Sequence, residues 1–448
     1  MGSSKMYVSR ALRGLDPQPS QDSDMIELFQ EMKSLDIFEK YKTNVLKLSP
    51  EFIYDRAAMF ASLHYDRYVC VNIDHLEFFV YTDNMWKNDH GHRHLIADLV
   101  RLFPQTGNNH TLRHQLIKDI AQHMYLEDFG ERLGRYKALN FCGGVSFDVT
   151  SGVLRPGYPT DYTSMSTPCI PDVGYREDVL NMLSDILPDT EIRAYFMRFM
   201  GSLLIPGNHD KIFMVWSGTG DNGKSVLARL VEMTLGEYSV RLPTSLLTGK
   251  RASSGSATPE TVLLDKRLVA FLQEPGDNEK LNIGIVKELT GNDTLYVRGL
   301  YREGRNISVL AKIIYIVNST DNMAKVEKAT WNRIVVIPFS THFTDHPKFA
   351  YERKKDIHLM SKLRKYAPAF LSLLVYEAKE YIKHGLIDSK AVVENTKSVM
   401  KENDHIHTFL ANNEMEHTYQ SFVNYMKLMN PKETIPSQKE YRQYSPIR

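Results

Sequence analysis

The sequence predicts an α/β protein whose core is a parallel sheet covered by helices. Three observations lead there. A glycine-rich loop, Gly218-Thr219-Gly220-Asp221-Asn222-Gly223-Lys224-Ser225, lies between a short apolar run at 212–216 and a segment of helical periodicity. Three further runs, at 268–272, 313–317 and 334–337, are also apolar at nearly every position, the pattern of strands buried on both faces in a sheet between helices. The composition, 42% hydrophobic and 24% charged, is that of an ordinary globular chain, and 448 residues exceed what one core holds.

Taken in order, residues 1–50 read as a connector: a polar Pro/Ser/Asp stretch, then a helix over 25–41. Residues 51–175 form a smaller α/β or helical domain, with a strand at 76–81, a turn at Asp89-His90-Gly91 and a helix over 93–102. Residues 176–210 are a helical adaptor whose core candidates are Val179, Leu180, Met182, Leu183, Phe196, Phe199, Met200 and Leu203. Residues 211–345 hold the glycine loop and the core strands. A helical domain over 346–448 follows, with a helix over 358–382 and a polar tail from Asn430. In that helix Phe370, Leu371, Leu373, Leu374 and Ala378 read as packing core.

Strand, glycine loop and helix come in the order that a phosphate-binding loop requires. Backbone N–H groups of Gly218, Thr219, Gly220, Asp221, Asn222 and Gly223, with the following helix N-terminus, can surround phosphates. Lys224 can reach the terminal phosphates and the Ser225 hydroxyl can ligate Mg2+. Val226, Leu227, Leu230 and Val231 carry the helix, and Gly236 ends it. The loop therefore reads as a nucleoside triphosphate site.

The later strands narrow the chemistry. The run at 268–272 leads into Gln273-Glu274, so Glu274 stands at the carboxyl end of a core strand, where it can polarise an attacking water or help hold magnesium. The run at 313–317 ends at Asn318, an amide able to contact a γ-phosphate or that water. Arg333 precedes the last run and can serve a neighbouring subunit's nucleotide as a finger.

These residues, with Leu289-Thr290-Gly291-Asn292-Asp293, Arg298 and Trp331-Asn332-Arg333 before Pro338-Phe339, follow the order of superfamily 3 helicases. The chain most resembles the helicase half of large-DNA-virus primase-helicases of the poxvirus and African swine fever virus type. Upstream, Phe147 to Gly152, Arg155-Pro156 and Asp161-Tyr162 resemble the domain preceding the helicase in that family. The resemblance covers roughly 70–410 and implies an AAA+-like P-loop ATPase core, ATP with Mg2+, a homo-hexameric ring, and single-stranded or forked DNA in its channel. It implies Lys224, Glu274, Asn318 and Arg333 as catalytic residues and Ser225 with Glu274 as metal ligands. Many members carry two adjacent acids where this chain has Gln273-Glu274. A primase domain and other replication proteins are implied partners, and a viral replication site in the host cytoplasm the implied location.

The channel element is expected between 295 and 309. Leu295 to Arg298 and Asn306 to Val309 can pair as strands around a flexible connection over 299–305. Arg298, Tyr301, Arg302 and Arg305 there can grip phosphates and stack on bases. An ordinary exposed hairpin with solvated arginines is the competing reading.

A net charge of +1 gives no global attraction to nucleic acid, so binding must be local. Cys70, Cys142 and Cys169 are too scattered for a disulfide framework. No apolar stretch suggests a membrane span. His90, His92 and His94 read as residues of a wet turn rather than metal ligands. Asp22 and Asp24 resemble a primase acid pair, but about 50 residues are too few for a primase domain. Met1 to Lys5 read as an expression leader. The family also suggests a winged-helix-like element near the C-terminus. Competing functions are a DNA-packaging or remodelling ATPase, and a non-catalytic scaffold that loads DNA with bound ATP.

Overall fold

The structure, a computed structural model, describes residues 53–248, 258–273, 281–300, 304–320, 323, 328–411, 417–429 and 435–444. The expected helix over 25–41, and Asp22 and Asp24, lie outside them. The described chain opens with α1 (Ile53–Leu63), then β1 (Tyr68–Asn72), β2 (Glu77–Thr82) and β3 (Met85–Asn88) in an antiparallel meander. Asp83 and Asn84, both at positive φ, link β2 to β3 as the two-residue turn that twisted hairpins favour. Helices α2 (Arg93–Leu102) and α3 (His110–His123) close over Phe60, Leu95, Leu99, Leu116 and Ile120. A second small sheet orders β4 (Ala138–Phe141), β5 (Val145–Asp148), β6 (Leu154–Pro156) and β7 (Ser166–Thr167) as β6-β5-β4-β7. Arg155 joins both oxygens of Asp161 at 2.8 Å and reaches Asp148 at 3.2 Å, so three residues of the upstream resemblance brace this sheet.

Helices α4 (Arg176–Ile186) and α5 (Thr190–Ser202) lead into the central sheet. It contains β8 (Phe213–Ser217), then, after α6 (Lys224–Leu235), β9 (Ser239–Leu242) and β10 (Val269–Gln273). Next come α7 (Ile283–Thr290), the antiparallel hairpin β11 (Thr294–Arg298) and β12 (Gly304–Ser308), then β13 (Lys312–Val317) and β14 (Ile334–Pro338). The order β14-β8-β13-β10-β9 is parallel throughout. Side chains alternate between two dry layers: Met214, Trp216, Phe271, Ile314 and Ile337 enter one core, and Phe213, Val215, Ala270, Ile313, Tyr315 and Val336 the other. Burial on both faces is why these strands are apolar without alternation. The fifth strand, β9, escaped sequence reading because it lies at the sheet edge, carries Arg241 and is only partly buried.

Beyond β14 the chain makes a short parallel pair, β15 (His342–Thr344) and β16 (Glu352–Lys354), before turning helical at α8 (Leu359–His384). Phe370, Leu371, Leu373, Leu374 and Ala378 are fully buried, as packing core requires. Helix α8 crosses α5 so closely that a Cβ on Gly201 would overlap the Glu377 side chain, and Arg198 pairs with that carboxylate at 2.7 Å. Helices α9 (Lys390–Glu402), α10 (His405–Ala411), α11 (Tyr419–Met429) and α12 (Gln438–Tyr444) finish the described chain. The segment expected as a polar tail thus includes α12, whose Tyr441 is buried with Phe409 and Phe422. Among the described residues no strand follows β16, so none supplies the wing of a winged-helix element.

Candidate nucleotide site and hairpin

Parallel pairing decides where the glycine loop opens. Ser217 at the end of β8 lies opposite Val317 of β13 on one side and Pro338 of β14 on the other. The loop therefore leaves the carboxyl edge of the sheet between Asn318 and Phe339, the position where α/β sheets bind ligands. Phe339 donates its amide to the Ser217 carbonyl at 2.8 Å and accepts from Asn222 Nδ2 at 3.4 Å, fastening one wall of the loop. A Cβ on Gly218 would stand 2.6 Å from the Phe339 carbonyl, and one on Gly223 2.8 Å from the Ile186 side chain, so both positions need glycine. Gly223, at φ +87, caps α6 without a side-chain acceptor, leaving the first-turn N–H groups and the positive helix end directed at the loop.

Lys224 is buried, and its Nζ turns back toward the Gly218 carbonyl while donating to Asn222 Oδ1 at 3.1 Å and Asn318 Oδ1 at 3.4 Å. The fold thus brings together two residues 94 positions apart that the sequence assigned to one site. Ser225 and Thr219 are exposed at the loop. These donors fit a triphosphate: the loop offers backbone N–H groups and one cation, and Ser225 offers a hydroxyl to a divalent metal. Glu274 lies outside the described residues; β10, which precedes it, ends at Gln273, level with Ile316. Asp221 touches the segment on either side of the domain boundary expected at 345. Its carbonyl accepts from the Phe343 amide at 2.7 Å, and its carboxylate stands 3.7 Å from Lys355 Nζ.

Arg333 sits elsewhere. Ile334 pairs with Phe213 at the start of β8, so Arg333 occupies the sheet edge opposite the loop and does not reach its own phosphate site. Its guanidinium donates to the Lys287 carbonyl at 2.9 Å and to Thr290 Oγ1 at 3.1 Å, at the C-terminus of α7.

The same edge carries the root of the hairpin. Leu295, Val297 and Ile307 face the core, while Thr294, Tyr296 and Arg298 face out. Arg305 pairs across from Val297 and binds Asp265 at 2.7 Å, so it belongs to strand β12 and not to a loose connection. Arg298 exchanges backbone hydrogen bonds with Thr258, accepting at 2.8 Å and donating to its hydroxyl at 3.2 Å, and its side chain is exposed. Tyr301 and Arg302 lie outside the described residues. Tyr296 was not among the expected DNA contacts, yet it is 63% exposed and its ring covers Gly304. Strict alternation of Leu295, Tyr296 and Val297 was the signal for it.

Lys312 is a second residue that sequence reading passed over. Fully buried at the start of β13, it donates to the carbonyls of Ser202, Ile205 and Gly207 at 2.8, 2.8 and 2.7 Å. Burial pushes its ammonium down to about 7, with the Asp210 carboxylate opposing. Only the ammonium has three N–H groups to donate, so the carbonyls also hold the proton against burial. Of the three alternating histidines, His92 bonds the Leu76 carbonyl and His94 bonds Asp89; no group of three or more metal-ligating side chains exists among the described residues. No helix among them is long and apolar enough to cross a membrane.

A phosphate loop at the carboxyl edge of a five-stranded parallel sheet, with its lysine against a strand-end asparagine, defines a phosphate-loop α/β fold. Comparison with known proteins is more specific. Over 321 residues, 68% of this chain, it is 32% identical to a protein of Acanthamoeba polyphaga mimivirus named a putative helicase, spanning 33% of that protein. A protein of Invertebrate iridescent virus 6 with the same kind of name is 33% identical over 56% of this chain and 27% of its own length. One of African swine fever virus, named a putative primase, is 27% identical over 56% and 27% respectively. The chain is thus a homologue of large-DNA-virus proteins bearing helicase and primase names, and it spans a quarter to a third of their length. No protein-family model matches it. Among solved structures, the apo structure of the NrS-1 C-terminal region aligns with a TM-score of 0.48 at 11% identity, over 88% of this chain and 85% of that one.

Proposed function

We propose that this chain is the ATP-driven motor of a DNA helicase of the superfamily 3 type, working as a homo-hexameric ring on single-stranded or forked DNA during viral genome replication. The observation that supports it best is the meeting of Lys224 with Asn318 at the mouth of the phosphate loop, in a homologue of viral proteins named as helicases. In this reading the backbone from Gly218 to Gly223 and Lys224 hold the triphosphate, and Ser225 with Glu274 holds Mg2+. Glu274 polarises the attacking water and Asn318 orients it against the γ-phosphate. Bound ATP and Mg2+ supply the phosphoanhydride and charge neutralisation; the chain's own residues position and desolvate. Arg333, remote from its own loop, is available to a neighbour's nucleotide, which makes the ring necessary for turnover. Arg298 and the outward face of the hairpin contact the DNA backbone, with Tyr301, Arg302 and Arg305 completing the channel. A primase domain precedes the motor in the whole protein, which acts at a replication site in the host cytoplasm.

The test is ATP hydrolysis with and without single-stranded DNA, run beside strand displacement on a forked duplex. DNA-stimulated hydrolysis with displacement supports the reading. Hydrolysis with translocation but no displacement would instead mark a packaging or remodelling ATPase, and nucleotide binding without hydrolysis a loading scaffold. Arg333→Ala subunits mixed with Lys224→Ala subunits should regain some ATPase activity, because a mixed interface pairs an intact loop with an intact arginine. Absence of recovery in demonstrably mixed rings would remove Arg333 from a neighbour's site.

A further inference from the structure

Resting on the reading in which Arg333 meets a neighbour's nucleotide, we propose that Arg333 is a two-position latch: in one position it caps α7 and holds the root of the β11–β12 hairpin, and in the other it leaves that cap for the neighbour's triphosphate and frees the root to move. The first position is visible. Lys287 supplies one of the last four carbonyls of α7; it accepts from the Thr290 hydroxyl at 3.4 Å as well as from Arg333, and a guanidinium there also faces the negative end of the helix dipole. Both bonds come from the same nitrogen, Nη1, one to that carbonyl and one to the buried Thr290 hydroxyl. Any displacement of that nitrogen toward an anion therefore breaks both together.

The hairpin lies close behind this cap. Only Gly291, Asn292 and Asp293 separate Thr290 from the first residue of β11. Asn292, at φ +61, holds the turn from the other side: its Oδ1 accepts from the Asn208 amide at 2.8 Å and its Nδ2 donates to the Asn208 carbonyl at 3.1 Å. Asn208 is itself fixed, exchanging side-chain bonds with the Ile212 backbone at 2.8 and 3.1 Å, just after the segment that Lys312 clamps through three carbonyls. Among its supports the turn thus has a fixed one, Asn208, and a releasable one, Arg333, which is only partly buried and stands at the same sheet edge; the Thr290 hydroxyl stays tied to the Val286 carbonyl at 2.8 Å when Arg333 leaves. Pulling the releasable side tilts a short rigid connector about the fixed one. Nucleotide state in one subunit would thereby be transmitted to the hairpin of the next without passing through that subunit's own phosphate loop. Thr290 is a positioning residue in this scheme, since it acts through Arg333.

The experiment is amide hydrogen exchange on the full chain under ring-forming conditions, with and without a non-hydrolysable ATP analogue and Mg2+, for wild type, Thr290→Val and Thr290→Ser. In wild type the analogue should raise exchange at residues 291–297 and 305–309 by about 10-fold, the scale expected when local opening becomes easier by roughly one decade. Thr290→Val, which keeps the shape but lacks the hydroxyl, should show that raised exchange without nucleotide and gain little from the analogue. Its DNA-independent ATPase should persist while DNA-stimulated turnover changes, and Thr290→Ser should restore wild-type behaviour and so exclude a simple folding defect. Nucleotide-insensitive exchange in wild type, together with recovery of ATPase in the Arg333→Ala and Lys224→Ala mixture, would overturn the latch while leaving the neighbour contact standing. Failure of that recovery overturns both, and Arg333 is then a helix cap alone.

Discussion

Replacing Lys312 with methionine isolates the buried clamp from simple packing, because the thioether fills nearly the same volume and donates no hydrogen bond. The Ser202 carbonyl also receives the Ile205 amide at 2.9 Å, so the substitution mainly strips the Ile205 and Gly207 carbonyls of this donor. At about 1–3 kcal/mol for each buried polar group left without a partner, the cost is about 2–6 kcal/mol. For a cooperative unit of about 150–250 residues, the scale of the domain around the central sheet, each kcal/mol moves the midpoint by about 2–4 °C, so Lys312→Met should lower it by at least about 4 °C. The pH dependence has a definite sign. The unfolded chain keeps this proton up to the ordinary 10.5, while burial makes the folded chain release it near 7. Between those values the unfolded state binds more protons, so this group makes stability rise with pH. Thermal unfolding of both proteins at pH 6.5, 7.5 and 8.5 checks the two effects together. An unchanged midpoint would refute the clamp and reduce Lys312 to a space-filling residue, whereas a lowered midpoint with parallel pH slopes would refute only the release of the proton near neutral pH and leave the ammonium clamped.

At the phosphate loop, Lys224→Ala should abolish ATP hydrolysis, whereas Glu274→Gln should retain nucleotide binding and slow turnover by about 100-fold or more, measured by equilibrium binding beside steady-state rates. Wild-type hydrolysis by Glu274→Gln would end the assignment of that residue. Gly218→Ala should weaken ATP affinity at least about 10-fold, since its methyl group meets the Phe339 carbonyl at 2.6 Å and that backbone cannot retreat without moving the loop wall. Calorimetric titration decides it, and unaltered affinity would mean that the wall yields. On the hairpin, Tyr296→Ala should weaken single-strand binding more than Arg305→Ala, because Arg305 is already engaged by Asp265 whereas Tyr296 is 63% exposed. Loss of Arg298 should also reduce the salt slope of binding by up to about one counterion. Anisotropy titrations at several salt concentrations would expose the opposite ranking if the hairpin meets DNA by its other face.

What the sequence determined by itself was whatever depends on neighbours along the chain. The phosphate loop, the strand before it and the helix after it are consecutive, and steric rules at Gly218 and Gly223 leave few alternatives. The core strands at 213–217, 269–273, 312–317 and 334–338 were legible because burial on both faces demands unbroken apolar runs. The hairpin was legible because alternation and a glycine connection are local signals. Edge strand β9 was not, since half of it meets solvent and its composition carries no such demand. Tertiary structure alone decided the partners of the charged groups. Arg333 finds acceptors 43 and 46 positions away, Arg305 a carboxylate 40 away, and Lys312 carbonyls 105 to 110 away. A lysine in an apolar run reads as a strand flank until the fold shows three carbonyls converging on it. An arginine before a strand reads as a solvated end until parallel register carries it to the edge opposite the nucleotide loop. Charge and hydrogen-bonding capacity are written in the sequence, but which groups meet depends on chain closure over distances that local propensity does not encode.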